Sequence, residues 1–249
     1  MHAVVLCAGL GKRLAPYTEA RPKCLFEVHG TTLLERHVAH LRSLGVSAIT
    51  VVTGHLEDMV RAEAARVAPA GLVRIVRNEA YRRGSIVSLA RGLEGVVDDV
   101  VFMDADVLYH PDVLGRLLRS SHRSSVLVDT GSTESGEEMM IGVRDGRARM
   151  IARRVSHAGP WDVSGESVGF FRVAKESVGA LRESIDSTIT KGGEDQEYEA
   201  SLNVLFERTP VGFERVDDLA WTEIDFAEDL QRAREKIAPL LPPLPPEAP

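Results

Sequence analysis

Four short apolar runs, Ala3–Cys7, Ala48–Thr53, Leu72–Arg77 and Val100–Met103, punctuate the first part of the chain, and the stretches between them carry helical spacing. Strands that alternate with helices are joined by right-handed crossovers into a mostly parallel sheet covered on both faces. The expected fold class is therefore α/β, a Rossmann-like, mostly parallel mixed sheet with helices on both faces. Leu33–Leu44, Leu56–Val67 and Ser85–Leu93 are the expected helices. Thr32, three residues before Glu35, offers a capping box for the first of them, and Gly45 closes it.

The pattern changes after about Ser124. Val126–Val128 reads as a strand, and Met140–Arg144 with Ala148–Ile151 as a hairpin around Asp145-Gly146. Val168–Val173 is another β-rich run, followed by helices over Lys175–Ile185 and Asp195–Phe206. A strand near Val211–Val216 and a last amphipathic helix, Ala227–Ile237, complete the series. This mixed half suits a small substrate-binding lobe. The expected organisation is a single domain over residues 1–238: a ligand-loop half to about 123, the lobe from about 124 to 220, and a returning segment with its helix over 221–238. A Pro-rich tail occupies 239–249.

With 249 residues, 44% of them hydrophobic and 27% charged, the chain is large enough for a full globular core. A formal charge of -7 argues against a general nucleic-acid binder, although a few local cations and a metal can hold phosphates on an acidic protein. Cys7 and Cys24 form no disulfide framework or metal-ligand spacing. The first apolar run is too short for a signal core, and none approaches bilayer-spanning length. The expected setting is the cytoplasm, with no membrane or nucleic-acid partner; oligomerisation is left open. The eight histidines lack metal-ligand spacing and read as surface or cap residues, and Ser85 and Ser88 lack a nucleophile elbow.

Ligands on a parallel sheet gather at the carboxyl ends of its strands. Two motifs stand there. After the first strand comes Leu6-Cys7-Ala8-Gly9-Leu10-Gly11-Lys12-Arg13-Leu14, whose glycines let backbone N–H groups approach phosphate oxygens. Lys12 and Arg13 add charge, the latter in a forked geometry; the plainer reading is a tight turn with solvated cations. A Walker loop would need Ser or Thr where Arg13 stands, and the dinucleotide fingerprint a third glycine where Leu14 stands. After the fourth strand come Asp104-Ala105-Asp106, hard oxygen ligands suited to magnesium, or else a helix or turn cap.

Ten residues beyond Arg13 lies Pro22-Lys23-Cys24-Leu25, in which Pro22 stiffens the segment that presents Lys23. The combination A-G-x-G-x-R, then P-K-x-L, then Gly30 resembles the sugar-nucleotide pyrophosphorylase or nucleotidyltransferase superfamily. The resemblance runs from Ala3 to about Glu235, weakly through the middle. It implies that Leu6, Ala8, Gly9 and Gly11 contact the nucleotide and that Arg13 and Lys23 hold the phosphates around the reacting centre. Trp221-Thr222-Glu223-Ile224-Asp225 resembles the segment that returns a second metal-binding aspartate, so that Asp106 and Asp225 would bind Mg2+. Glu223 would support them, and Asp104 would contact the ribose or back up the metal ligands. Glu228 and Asp229 fall in the first turn of the last helix and read as structural.

Trp221–Asp225 together with Gly165-Glu166-Ser167-Val168-Gly169 look most like the branch of phosphocholine, phosphonate and inositol-phosphate cytidylyltransferases. Asn78, Gly84 and Ser85 occupy that branch's base-reading segment, but depart from its Tyr-Ser-Leu pattern. CTP is the expected nucleotide, with UTP or dTTP as alternatives. For the acceptor, Trp161, Trp221, Tyr198, Asp195, Glu166, Glu199 and Glu223 are candidates; the first four and Glu199 are types that surround a quaternary ammonium. A carboxylate-bearing phosphonate would instead call on Arg144, Arg153, Arg154 and Lys191. With two tryptophans and four tyrosines in the chain, the reading favours a small phosphate or phosphonate without a choline head.

The expected reaction is attack by an acceptor oxygen on the α-phosphorus of CTP with loss of pyrophosphate. The alternatives are a sugar-1-phosphate uridylyl- or thymidylyltransferase, a metal-dependent D-x-D glycosyltransferase, and a nucleotide sensor without turnover. A glycosyltransferase leaves Gly9-x-Gly11-x-Arg13 and Pro22-Lys23 unexplained.

Overall fold

The computed structural model describes residues 1–132, 136–155 and 159–245, so the last four residues of the tail lie outside it. The strands, in chain order, are β1 (His2–Cys7), β2 (Glu27–Val28), β3 (Thr31–Thr32), β4 (Ala48–Thr53), β5 (Val73–Arg77), β6 (Val100–Asp104) and β7 (Val107–Tyr109). There follow β8 (Ser125–Asp129), β9 (Met140–Arg144), β10 (Arg147–Ala152), β11 (Val163–Val173), β12 (Gly212–Arg215) and β13 (Trp221–Glu223).

Nine of these strands share one sheet, with β10-β9-β11-β6-β1-β4-β5 as its main order and β8 joining β11 to β12. β6, β1, β4 and β5 run parallel. β11 turns antiparallel against β6, β8 and β9. The sheet is thus mixed and its first half parallel, as the alternation of apolar runs and helices requires. The strands expected to form a small lobe, β8 to β12, continue this same sheet.

Alternation along the strands explains the two faces. Ala3, Val5 and Cys7 enter one core with Leu34, Val38 and Leu41 of helix Leu33–Ser43. Val4 and Phe102 enter the other, with Ile86 and Leu89 of helix Ser85–Gly92 and Leu202 and Leu205 of helix Glu199–Arg208. A third, smaller cluster joins Leu14, Phe26, Leu108, Ile224 and Leu230. It fastens the loop after β1 to the last helix, Ala227–Arg232, and so brings the two ends of the chain together.

Several local expectations need correction. Thr32 Oγ1 accepts from the Glu35 N–H at 3.0 Å, but the Glu35 carboxylate pairs with Arg66 at 2.5 Å, so only half of the capping box forms. The helix expected from Asp195 begins at Glu199. Residues before it run against Gly84, whose N–H donates to the Glu194 carbonyl at 3.0 Å. A β-carbon on Gly84 would stand 1.8 Å from the Gln196 carbonyl oxygen. Helix Pro111–Leu118 was not anticipated; Pro111 occupies its first position and the His110 ring accepts from the Asp112 N–H at 3.2 Å. His37 and His40, read as surface or cap residues, are 0% and 3% exposed. No helix among the described residues is long and apolar enough to cross a membrane.

Candidate active site

β1 and β6 are parallel neighbours in the register Leu6 to Asp104. The glycine loop and the Asp104-Ala105-Asp106 segment therefore leave the sheet side by side. β7 follows at once, and β13 pairs with it antiparallel, Glu223 opposite Val107. The Ile224 N–H then donates to the Asp106 carbonyl at 3.0 Å. This pairing delivers the C-terminal acids to the strand-end acids.

Lys23 stands between them. Its ammonium donates to Asp106 Oδ2 at 2.9 Å and also to Asp225 Oδ1. Arg13 donates to Asp225 Oδ2 at 2.5 Å, reaches Glu137 at 3.5 Å and lies 5.3 Å above the Phe226 ring. Asp229 accepts from the Asp225 and Phe226 N–H groups at 3.0 and 2.8 Å, which fixes the chain as the last helix starts. One carboxylate oxygen from each of Asp106, Glu223 and Asp225 lies within 4.8 Å of the others.

The electrostatics follow from crowding acids into a partly buried place. Burial pushes the Glu223 carboxyl up, Asp106 and Asp225 push it further, and Lys23 and Arg13 pull it back. Asp104 is raised by burial, then by Asp106 and Glu199; the Tyr198 hydroxyl, donating to its Oδ2 at 2.6 Å, works the other way. Burial disfavours the Lys23 ammonium, but Asp106 and Asp225 outweigh it and hold its pKa above the ordinary lysine value. Three oxygen donors of this kind fit a hard divalent cation, and the position already attracts a positive charge, that of Lys23.

The other expected residues separate into groups. Gly9 is exposed with open space where a β-carbon would be, and Gly11 sits at φ +60 with its carbonyl accepting from the Thr18 hydroxyl at 2.9 Å. Leu6, Gly9, Gly11 and Lys23 line one small cavity with Cys7, Cys24 and Asp106. Ala8 is buried, and Lys12 is exposed on the turn Lys12–Leu14. Ser85, Asp104 and Tyr198 line the cleft that holds Lys23 and the acid cluster. A neighbouring cavity contains Trp221 and Glu166, and Glu223 and Asp225 border both. The Trp221 indole N–H donates to Asp129 at 2.8 Å.

Asn78, Gly84, Trp161 and Asp195 are employed elsewhere. Asn78 is 1% exposed; its oxygen accepts from the Ala80 N–H and its amide donates to Ser88, each at 2.9 Å. Gly84 is held by the 194–196 backbone as described above. Trp161 packs on Gly142, where a β-carbon would come within 2.6 Å of the indole. Asp195 forms a surface ion pair with Arg83 at 2.9 Å.

Sequence reasoning missed several residues of the cleft. Glu137 and Glu197 line it, beside Arg153, which was expected only for a carboxylate-bearing acceptor. His37, fully buried and held neutral by burial with a pKa lowered to about 4, places its Nε2 at 3.2 Å from the Ala105 carbonyl between the two aspartates. The signal for Gly169 was present in the Gly165–Gly169 segment, whose last two residues enter the irregular stretch of β11 between Ser167 and Phe171.

Comparison with known proteins places the chain in a family. Residues 3–168, more than half of the chain, match the model of the MobA-like NTP transferase domain. The chain belongs to that family. Within it, the chain is 31% identical over 243 residues to a bifunctional IPC transferase and DIPP synthase of Rubrobacter xylanophilus, covering 94% of this chain and 51% of the relative. It is 28% identical over 247 residues to a CMP-5'-(3-aminopropyl)phosphonate synthase of Streptomyces rubellomurinus, covering 96% of this chain and 39% of the relative. The NTP transferase chain thus spans about half or less of the length of these two curated relatives. In fold it is similar to the CTP:phosphocholine cytidylyltransferase of Streptococcus pneumoniae, with a TM-score of 0.72, 22% identity, and 94% and 97% of the two chains covered.

Proposed function

We propose that this NTP transferase moves CMP from CTP to a small acceptor bearing a phosphate or phosphonate, with release of pyrophosphate. The observation that carries the reading is Lys23, which joins Asp106 and Asp225 at the mouth of the glycine loop. A relative whose name is that of a CMP-aminopropylphosphonate synthase, and a structural neighbour named as a CTP:phosphocholine cytidylyltransferase, support CTP as the nucleotide and a non-sugar acceptor.

In the proposed reaction an ionised acceptor oxygen attacks the α-phosphorus in line. The new P–O bond forms as the bond from the α-phosphorus to the bridging oxygen breaks, and that oxygen leaves with its electron pair on pyrophosphate. Such an oxygen needs little base assistance, so positioning and charge neutralisation carry the catalysis. Gly9 and Gly11 give the triphosphate close access to backbone N–H groups. Lys23 follows the charge that builds on the α-phosphate, and Arg13 holds the departing pyrophosphate. Asp106 and Asp225, with Glu223, would hold Mg2+, which neutralises triphosphate charge when bound. Transfer of Lys23 from the carboxylates to the phosphate is the motion the proposal requires.

Pyrophosphate release with Mg2+, each NTP in turn and a panel of phosphocholine, aminoalkylphosphonates, inositol phosphate and sugar 1-phosphates tests the reading. Release with CTP and a non-sugar acceptor is expected. Release only with UTP or dTTP and a sugar phosphate overturns the choice of nucleotide. Consumption of a sugar nucleotide with release of nucleoside diphosphate overturns the transferase class.

A further inference from the structure

Two carbonyls on the turn from β6 to β7 are held by different parts of the chain. The Asp106 carbonyl accepts from Ile224 of the returning C-terminal segment. The Ala105 carbonyl, one residue earlier, lies 3.2 Å from Nε2 of His37, which belongs to helix Leu33–Ser43.

The direction of the second contact follows from its chemistry. Ala105 offers only an acceptor there, so Nε2 carries the ring proton. Burial keeps the imidazole neutral, and a neutral ring has one N–H, so Nδ1 is an acceptor. The Tyr109 hydroxyl, 3.2 Å from Nδ1, donates to it, and burial holds that phenol in its protonated form. His37 is 0% and Tyr109 1% exposed, so water does not replace either bond. A directed line results: Tyr109 O–H to the imidazole, and imidazole N–H to the Ala105 carbonyl.

Aromatic packing keeps this line in place. The His37 and Tyr109 rings stack with centroids 5.4 Å apart, and Phe170 and His40 meet Tyr109 edge-on at 4.9 and 5.2 Å. Tyr109 also lies opposite Trp221 in the pairing of β7 with β13, the strand pair that delivers Glu223.

A planar peptide joins Ala105 to Asp106. Holding its oxygen fixes the plane, and with it the direction in which the Asp106 side chain leaves the backbone. That carboxylate has to meet Lys23 at 2.9 Å and come within 4.8 Å of Glu223 and Asp225. A tilted peptide would open these distances.

We infer that His37 is a positioning residue for Asp106: its Nε2–H holds the Ala105–Asp106 peptide and so sets the separation of Asp106 from Glu223 and Asp225. The inference rests on the nucleotidyltransferase reading, in which Asp106 and Asp225 hold Mg2+, and adds to it a fully buried residue that acts through the backbone.

Two substitutions separate positioning from packing. His37→Phe keeps a stacking ring and removes the donor, whereas His37→Gln loses the ring and keeps an N–H donor near the place of Nε2. Both should melt below the unsubstituted chain, because each disturbs a buried, satisfied network. Mg2+ affinity, read by calorimetric titration of the nucleotide-free protein and by the Mg2+-induced rise in Tm, should part them. His37→Phe is expected to raise the Mg2+ Kd by about 10-fold and to lower kcat, with the acceptor KM within about twofold of its starting value. His37→Gln is expected to keep the Mg2+ Kd within about threefold. If His37→Phe fails to fold, Tyr109→Phe takes its place: it removes the donor to Nδ1 and should raise the Kd in the same direction, and an unchanged Kd there overturns the inference. Undiminished Mg2+ affinity in His37→Phe overturns it too. So does equal weakening in the Phe and Gln variants, which would leave packing as the whole role of the ring. Pyrophosphate release from CTP by an unsubstituted chain that binds no Mg2+ on its own overturns the inference and keeps the transferase. Absence of both Mg2+ binding and pyrophosphate release overturns the transferase reading and the inference with it.

Discussion

Gly169 lies directly against Asp104: a β-carbon added to it would stand 2.4 Å from a carboxylate oxygen, and its φ is +78. The irregular stretch of β11 thus forms one wall of the strand-end aspartate. Gly169→Ala combines left-handed backbone strain with a clash and should destabilise the protein by about 2 to 4 kcal/mol. Thermal denaturation should show this as a fall in Tm of roughly 5 to 12 °C, with turnover reduced because Asp104 is displaced. An unchanged melt would mean that β11 yields without cost.

Lys23→Ala should lower kcat by about two to three orders of magnitude. It also removes the cation between Asp106 and Asp225, so the variant should melt lower than the parent in chelator and recover when Mg2+ is added. Near-normal kcat would remove Lys23 from the mechanism.

Mg2+ at about 100 times its Kd should stabilise the parent by about 2.7 kcal/mol, read as an upward shift in Tm. Asp225→Asn, which weakens the donor set of Asp106, Glu223 and Asp225, should lose most of this shift and require more Mg2+ for half-maximal rate. An equal shift in the variant would place the metal elsewhere.

Glu166 supplies a pH-dependent prediction. Burial, then Glu138, raises its carboxyl from the ordinary 4.5 to about 7. The native state therefore holds this proton more tightly than the unfolded chain, and ionisation opposes folding. The penalty is absent below pH 4.5, grows from there to about 7, and is complete above it. Glu166→Gln should accordingly stabilise the protein at pH 8 by on the order of 2 kcal/mol and change little at pH 4. Denaturant melts at the two pH values check it; an equal effect at both would deny the raised pKa.

The parts of this molecule that could be read in advance are those encoded by neighbouring residues. Ala3–Cys7 announces a buried strand by composition, and Gly9, Gly11, Arg13 and Lys23 stand close enough in sequence to form a recognisable pattern. Asp225 was reachable because Trp221–Asp225 is a compact motif of its own. Asn78 and Gly84 are ambiguous in sequence for a physical reason. A buried Asn and a glycine before a helix look alike whether they hold a base or hold backbone, and here Asn78 binds Ala80 and Ser88 while Gly84 admits Gln196. Glu199 gave no local sign of its unsatisfied oxygen, since that depends on how helix Glu199–Arg208 packs against β10 and helix Lys175–Thr188. His37 was overlooked because its partner is a carbonyl 68 residues away.

The acid cluster joins distant parts of the chain: Lys23 meets Asp106 across 83 positions and Asp225 across 202. During translation the glycine loop and Lys23 emerge first, yet Asp225 cannot join them until β13 has left the ribosome and paired with β7. On the proposed reading, a nascent or prematurely terminated chain carries the strand-and-loop platform without Asp225, and turnover would report on synthesis carried through to the last helix.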